Sequence, residues 1–247
     1  MFKKKSILAI IPARLGSKGI KNKNLKKIGS LSLIEIAIKN AEKSKYLDKI
    51  VVTSDDPKIL KLKIKYKKVI FLKRKKSLSG DKSKMIDVVL DVNRRIKYTF
   101  NFILILQVTC PFRTSQDIDY SIKKFTNSNA DTLISVTRME DFHPARMYKI
   151  KNKFLIPINR SESSTNRQLL PSVYHRNGLI YLFKSRNLRF NSFYGKKIIP
   201  YTISKSRSLN IDDPIDLIYA KALQKKTTIS WNALFRKKYF KAGQKLL

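Results

Sequence analysis

Ala9-Ile-Ile-Pro-Ala-Arg14-Leu-Gly16-Ser17-Lys18-Gly19-Ile-Lys-Asn-Lys23-Asn24 begins inside an unbroken apolar run, Ile7 to Ile11, and ends as a basic loop containing two glycines. A run with no polar alternation suits a strand covered on both faces. In a doubly wound parallel sheet, ligands bind beyond the carboxyl ends of the strands, and this loop leaves the first strand at that edge. Gly16 and Gly19 would let backbone approach a phosphate with no Cβ in the way. Arg14, Lys18 and Lys23 can neutralise a triphosphate, arginine bidentately. The loop is neither a Walker A sequence, since no GK[ST] follows, nor a GxGxxG fingerprint. A plain basic connection is the alternative, but a loop this long between a core strand and a capped helix favours function.

Outward from the loop, Ser32-Leu-Ile-Glu35 forms a capping-box pattern, with Leu33, Ile36, Ala37, Asn40 and Ala41 at helical spacing behind it. Lys49 to Thr53 reads as the next strand, and Asp56-Pro57 as an N-cap followed by proline at the first helical position. Val69 to Leu72 predicts a strand, Lys84 to Lys97 a helix, Asn101 to Gln107 the most apolar strand, Ser115 to Thr126 a helix with Ile118 and Ile122 inward, and Asp131 to Thr137 another strand. This alternation predicts an α/β fold with a Rossmann-like, mixed and mostly parallel sheet flanked by helices. Residues 142–173 break the pattern and read as an excursion, either a mobile loop or a small β arm for dimerisation. Strands over Gly178 to Phe183 and Lys197 to Ser204 follow, then a helix capped by Asp213-Pro214 and reaching about Leu223. The catalytic domain is expected over 1–225, with a basic tail over 226–247 carrying Trp231, Leu234, Phe235 and Tyr239.

The chain has 247 residues, 43% of them hydrophobic, enough for one sizeable core. It holds no apolar stretch long enough to span a membrane. Phe2-Lys-Lys-Lys before Ile7 to Ala13 imitates a secretion leader, but Pro12 and Arg14 cut the run short. The single cysteine, Cys110, rules out an internal disulfide and suits a reducing cytoplasm. The net charge of +37 is spread along the whole chain rather than gathered into a stripe interleaved with aromatics. It therefore reads as compositional drift, with nucleic acid not the expected partner, although it would attract a nucleoside triphosphate and an acidic sugar.

The stretch IPARLGSKGIKNKN resembles the N-terminal signature of the acylneuraminate cytidylyltransferases, the CMP-sialic acid synthetase family. The related Kdo cytidylyltransferases carry a different loop without the GSKG…KN ending. The resemblance continues in order over about residues 6–225. Val52-Thr-Ser-Asp-Asp56 resembles the family's strand-end STDD, and Arg74 with Leu78-Ser79-Gly80-Asp81-Lys-Ser83 its nucleotide-contacting loop. Leu106-Gln107-Val-Thr109-Cys-Pro111-Phe-Arg113 resembles LQPTSPLR. Arg167-Gln168-Leu-Leu170-Pro171, Tyr174 and Asn177-Gly178-Leu-Ile180-Tyr181 resemble its sugar-binding stretch, and Asn210-Ile211-Asp212 stands where the family has Asp-Ile-Asp.

The resemblance implies a Rossmann-like domain with a small dimerisation element, a homodimer, and transfer of CMP from CTP to a nine-carbon 2-keto acid sugar with release of pyrophosphate. It places Arg14, Gly16, Ser17, Lys18, Lys23, Asn24, Arg74, Ser79 and Ser83 around the nucleotide. Gln107, Thr109, Arg167, Gln168, Asn177, Gly178 and Tyr181 fall around the sugar, with Arg167 as partner of its carboxylate. Arg14, Lys18, Lys23 and Asp212 would carry catalysis. Magnesium prefers hard oxygen ligands, and the family supplies two aspartates at i, i+2. Here the first is Asn210, neutral but able to coordinate through its amide oxygen, so weakened magnesium binding or a shifted metal preference is expected, with Asp212 as main anchor. Asp213 reads as a helix cap, His143 as structural or at the edge of the substrate, and Cys110 not as a nucleophile. Taken singly, each site residue has an ordinary reading: Gln107 and Thr109 as turn caps, Tyr181 as core, Arg167 as surface. Taken together and in order they read as function. The alternative is a degenerate relative that binds nucleotide or polyanion without efficient catalysis.

Overall fold

The computed structural model describes residues 2–139, 142–159 and 166–225; the 226–247 tail lies outside them. The first run becomes β1 (Ile7–Pro12). The basic loop follows, closing on a short ribbon of β2 (Lys27–Ile28) and β3 (Leu31–Ser32). Then come α1 (Leu33–Glu42), β4 (Lys49–Ser54), the short α2 (Pro57–Leu60), β5 (Ile70–Lys73), α3 (Met85–Arg95), β6 (Phe102–Ile105), α4 (Ser115–Thr126) and β7 (Thr132–Met139). A hairpin of β8 (Tyr148–Lys151) and β9 (Phe154–Pro157) precedes the long β10 (Val173–Lys184) and β11 (Ile198–Thr202), and a last helix, α5, covers 214–225.

The main sheet has seven strands in the order β11-β7-β10-β6-β1-β4-β5. β1 pairs in parallel with both β4 and β6, β4 with β5, and β7 with β11, while β10 runs antiparallel between β6 and β7. The expected mixed, mostly parallel sheet is therefore present. β1 alternates its buried side chains between two cores. Ile7, Ala9 and Ile11 pack with Leu33, Ile34 and Ile38 of α1 and with Ile118 and Ile122 of α4, whereas Leu8 and Ile10 pack with Val89 and Val92 of α3. After β1 the chain builds outward through β4 and β5, then returns to the other side of β1 to lay down β6. That reversal opens a crevice at the carboxyl ends of β1 and β6.

Within the excursion, β8 and β9 pair as an antiparallel hairpin. Its turn residues, Asn152 and Lys153, both have positive φ, the left-handed pair that a tight two-residue hairpin needs. The predicted strand over Gly178–Phe183 proves to be the second half of β10, whose earlier portion pairs Val173–Arg176 with β7. Among the described residues no helix is long and apolar enough to cross a membrane.

The helix starts follow the sequence. Asp56 caps α2 by accepting from Lys58 N–H at 2.8 Å. Thr114 and Asp117 cap α4 reciprocally, and Asp117 also receives Arg207 and the Tyr201 hydroxyl. At α1, Glu35 accepts from the Ser32 hydroxyl (2.7 Å) and N–H (3.0 Å), and it pairs with Lys65. Burial works against this carboxylate, yet the Lys65 and Ser32 hydrogen bonds outweigh it and bring its pKa from 4.5 down to about 2. A depressed carboxylate pKa contributes stability above the unfolded value that is lost as pH falls through the folded one, here at most about 3 kcal/mol. Glu35→Gln should therefore lower stability at neutral pH and flatten its decline between pH 4.5 and about 2; urea melts of both proteins across that range will show whether the acid limbs differ.

Candidate active site

The loop after β1 is tied down at both ends. Ala13 N–H reaches Thr53 O (3.0 Å), Leu15 N–H reaches Asp55 Oδ1 (2.8 Å), and the buried Asn24 donates its amide to Arg14 O (2.8 Å), closing the loop on itself. Gly19 packs so tightly that a Cβ there would lie 2.1 Å from the backbone carbonyl oxygen of Asp212. Its close approach is thus to the chain's own backbone, whereas a Cβ on Gly16 would meet nothing within 4 Å. Lys23 Nζ lies 3.0 Å from Asp212 Oδ1, its side chain only 13% exposed.

The Asn210–Asp212 turn is anchored from beneath. Ile211 is buried, and its N–H donates to Thr109 O at 2.9 Å. Asn210 donates its amide to Asp212 Oδ2. Asp213 and Asp216 cap α5 reciprocally, Asp216 also accepting from Asp212 N–H, so Asp213 serves as the expected helix cap.

Two cavities meet at this turn. One of about 390 Å³ is lined by Arg14, Ser17, Lys18, Gly19, Lys23, Asn24, Arg74, Met85 and Thr109. The other, of about 800 Å³, is lined by Thr137, His175, Arg176, Asn177, Gly178, Tyr181 and Lys205, among others. Gln107, Asn210 and Asp212 line both. The smaller compartment is strongly basic and sits at the crevice between β1 and β6. Two of its lining cations, Arg14 Nη1 (2.9 Å) and Lys18 Nζ (3.0 Å), are bridged by Asp81, whose pKa falls mainly through the Lys18 hydrogen bond. Arg74 is buried against Thr53 O at 2.8 Å, and desolvation pulls its pKa down.

The larger compartment is shaped by a bulge in β10. Its register jumps from Arg176 opposite Val136 to Tyr181 opposite Ile134, so three more residues are spent on β10 than on β7. Ser135 fills the bulge, donating to Asn177 Oδ1 (2.6 Å) and accepting from Ile180 N–H (2.8 Å), while Asn177 donates to Thr137 Oγ1 (2.9 Å). Gly178 takes φ +78°, and a Cβ on it would press 2.9 Å from Gln107 Oε1. Beneath Gln107 lies the fully buried Arg113, which donates to Gln107 O (3.0 Å) and Leu179 O (2.8 Å); burial lowers its pKa to about 10. Cys110 is also buried, contacting Asn210 Oδ1 and Asn177 O, and burial pushes its thiol up to about 11, far from nucleophilic use.

Of the residues singled out from sequence, Arg14, Ser17, Lys18, Lys23, Asn24, Arg74, Gln107, Thr109, Asn177, Gly178, Tyr181, Asn210 and Asp212 line one or both compartments. Ser79 and Ser83 stand off the smaller one, their hydroxyls donating to Lys75 O and Ser77 O. Gln168 lines a separate cavity of about 310 Å³ beside Arg138 and His143. Arg167 begins the turn Arg167–Leu169, and its side chain lies outside the described residues. His143 is structural: its ring bonds Pro171 O (3.0 Å) and Ala145 N–H (3.1 Å). Sequence reasoning gave no role to Arg113, although an arginine inside the otherwise apolar Cys-Pro-Phe-Arg turn was a usable signal.

A basic crevice at a parallel-sheet switch point, joined at Asp212 to a roomier polar compartment, suits nucleotidyl transfer. Residues 8–238 match the Cytidylyltransferase family, and the chain belongs to it. It is 33% identical over 215 residues to a CMP-N,N′-diacetyllegionaminic acid synthase of Campylobacter jejuni, covering 85% of this chain and 91% of that protein. It is 32% identical over 231 residues to post-translational flagellin modification protein B of Campylobacter coli, covering 89% and 98%. Against an N-acylneuraminate cytidylyltransferase of Escherichia coli it is 31% identical over 224 residues, covering 89% of this chain and 52% of that one. Among solved structures, a CMP:2-keto-3-deoxy-manno-octonic acid synthetase complexed with CTP shares the fold, with a TM-score of 0.68 at 14% identity over 90% of this chain and 99% of the other.

The Gly19 contact yields a test. Gly19→Ala must part the loop from the Asp212 carbonyl and should weaken CTP binding by about tenfold or more in calorimetric titration, equivalent to ~1.4 kcal/mol. In the ligand-free protein Gly16→Ala should leave the melting temperature unchanged, since its Cβ meets only open space.

Proposed function

We propose that this cytidylyltransferase activates an acidic nine-carbon 2-keto sugar of the sialic acid type with CTP, giving the CMP-sugar and pyrophosphate. The observation that carries the reading is the pair of compartments sharing Gln107, Asn210 and Asp212. A nucleotide in the smaller and an acceptor in the larger would meet at those residues. The relatives named for legionaminic, pseudaminic and neuraminic acids support the substrate class. With the family match covering nearly the whole chain, the degenerate alternative is not favoured.

In this reading Arg14, Lys18 and Lys23 hold the triphosphate, Arg14 and Lys18 exchanging Asp81 for phosphate oxygens. Ser17 and Asn24 shape the cradle, and Arg74, Ser79 and Ser83 lie toward ribose and cytosine. The sugar's anomeric hydroxyl attacks the α-phosphorus, the phosphorus–oxygen bond to pyrophosphate breaks, and the hydroxyl proton leaves to solvent. Such transfer relies chiefly on positioning and on neutralising charge. Gln107, Thr109, Gly178 and Tyr181, with Arg167 and Gln168 from the neighbouring turn, orient the acceptor; Asn177, its amide committed inside the bulge, keeps that wall in shape.

Magnesium is the metal the family implies. No cluster of three or more acidic, cysteine or histidine side chains forms a metal cage among the described residues. Asp212 and the Asn210 amide fit a magnesium ion that arrives on the triphosphate, where it would neutralise phosphate charge. The exposed apolar side chains of the β8–β9 hairpin, Ile150 at 78%, Phe154 at 74% and Leu155 at 66%, support its use as the contact of a homodimer. The single buried cysteine supports placement in the cytoplasm.

Pyrophosphate release from CTP, measured with N-acetylneuraminate, N,N′-diacetyllegionaminate and pseudaminate, should be detected with at least one sugar and be absent without sugar; no release with any of them in magnesium or manganese overturns the proposal. Asn210→Asp, which restores a second carboxylate, should lower the magnesium concentration giving half-maximal rate, and an unchanged magnesium titration would show that the asparagine already serves.

A further inference from the structure

We infer that Asp81 is a built-in competitor of the nucleotide's phosphates, an assignment that rests on the function proposed above: it holds Arg14 and Lys18 between turnovers and hastens the departure of pyrophosphate by taking both cations back. Asp81 meets them with separate oxygens, Oδ1 on Arg14 Nη1 at 2.9 Å and Oδ2 on Lys18 Nζ at 3.0 Å. A carboxylate spread across two cations in this way occupies them as phosphate oxygens would. Both cations line the smaller compartment, whereas Asp81 reaches them from the segment between β5 and α3.

Asp81 and Asp212 both hold cations of this cleft, but they are anchored differently. Asp212 sits on a fixed turn, with Gly19 packed against its carbonyl and its N–H bonded to Asp216. Asp81 sits on an exposed stretch whose hydrogen bonds run between its own residues: the Ser79 hydroxyl to Lys75 O, the Ser83 hydroxyl to Ser77 O, and Ser83 N–H to Gly80 O. Lys75 at the root of this stretch pairs with the buried Asp91 (3.7 Å), and α3 begins at Met85. The segment is thus held at both ends and touches the phosphate cations through Asp81. The Asp81 side chain is 49% exposed and that of Lys18 81%. Ion pairs this open to water are weak and part readily.

Chemistry gives this arrangement its consequence. A carboxylate carries a single negative charge, and a triphosphate or a pyrophosphate carries several, so phosphate displaces Asp81 from the cations. The displacement costs part of the nucleotide's affinity. After transfer, pyrophosphate has lost its covalent tie to the nucleotide and must leave cations that suit it well. Asp81, tethered beside them, competes at a high effective concentration. The sign of the effect separates this role from that of an ordinary contact. Removing a residue that binds the nucleotide weakens binding, whereas removing a competitor strengthens it.

The full-length protein should be titrated calorimetrically with CTP and with pyrophosphate, in magnesium, alongside Asp81→Asn, Asp87→Asn, Lys18→Gln and the Asp81→Asn, Lys18→Gln double variant. Asp81→Asn keeps the side chain's shape and removes its charge. It should bind both ligands about 3- to 10-fold tighter, the effect of releasing two exposed ion pairs. Pyrophosphate should also inhibit its turnover at correspondingly lower concentration. Asp87, an exposed acid in the first turn of α3, controls for a general rise in positive potential, and its variant should bind as the unmodified protein does. With Lys18 already replaced, the gain from Asp81→Asn should shrink, since one of its two pairs is gone. Equal or weaker binding by Asp81→Asn, a matching gain in Asp87→Asn, or an undiminished gain without Lys18 overturns the assignment while leaving the proposed reaction intact. Absence of CTP binding by the unmodified protein overturns the proposed reaction and this assignment together.

Discussion

Asp212 is the point on which the site is assembled. Its backbone carbonyl receives the Gly19 segment at a distance no other residue type allows, its Oδ1 holds the Lys23 ammonium, and its Oδ2 holds the Asn210 amide. The loop after β1 and the turn before α5 lie 189 positions apart at Lys23 and Asp212, and these contacts make them one wall. Ile211, buried and bonded to Thr109, keeps the turn from moving away. The same contacts place the acid where both compartments open. A carboxylate held by a lysine and an amide keeps its place, the condition for positioning groups beside a triphosphate.

The fold supplies the rest by topology. β1 lies between β4 and β6, so the loops leaving β1 and β6 diverge around a crevice. The antiparallel β10 then brings its bulge alongside the β6 loop, and Arg113 staples the two by donating to Gln107 O and Leu179 O. One face of the larger compartment thus comes from an irregular strand, rigid because Ser135 and Asn177 satisfy its displaced polar groups.

Much of this was legible in the chain. The apolar runs at Ile7–Ile11 and Asn101–Gln107 announced strands buried on both faces, because burial on both sides erases alternation. Ser32, Asp56 and Asp213 announced helix starts through local hydrogen bonds that need no tertiary information. The basic loop and the acidic turn could each be recognised, but not their contact, since Gly19 reads as a phosphate glycine until its neighbour is known. The bulge was hidden because its partner, Ser135, lies on another strand, so β10 looked shorter than it is. Gln168 sat in the same motif as Asn177 yet faces a different cavity, because the chain turns between them. Arg113 takes its role from its burial between the β6 loop and β10, which only the folded sheet defines.

The central claim is that nucleotide and sugar occupy separate compartments that meet at Asp212. The most direct measurement is a crystal structure of the protein with CTP and a 2-deoxy sugar acid that lacks the anomeric hydroxyl and so cannot react. The account predicts the triphosphate in the cleft of Arg14, Lys18 and Lys23, the sugar beside Tyr181, and its C2 facing the α-phosphorus at Gln107 and Asp212. A triphosphate lodged in the larger compartment, or a sugar bound with C2 turned away from that junction, would contradict it.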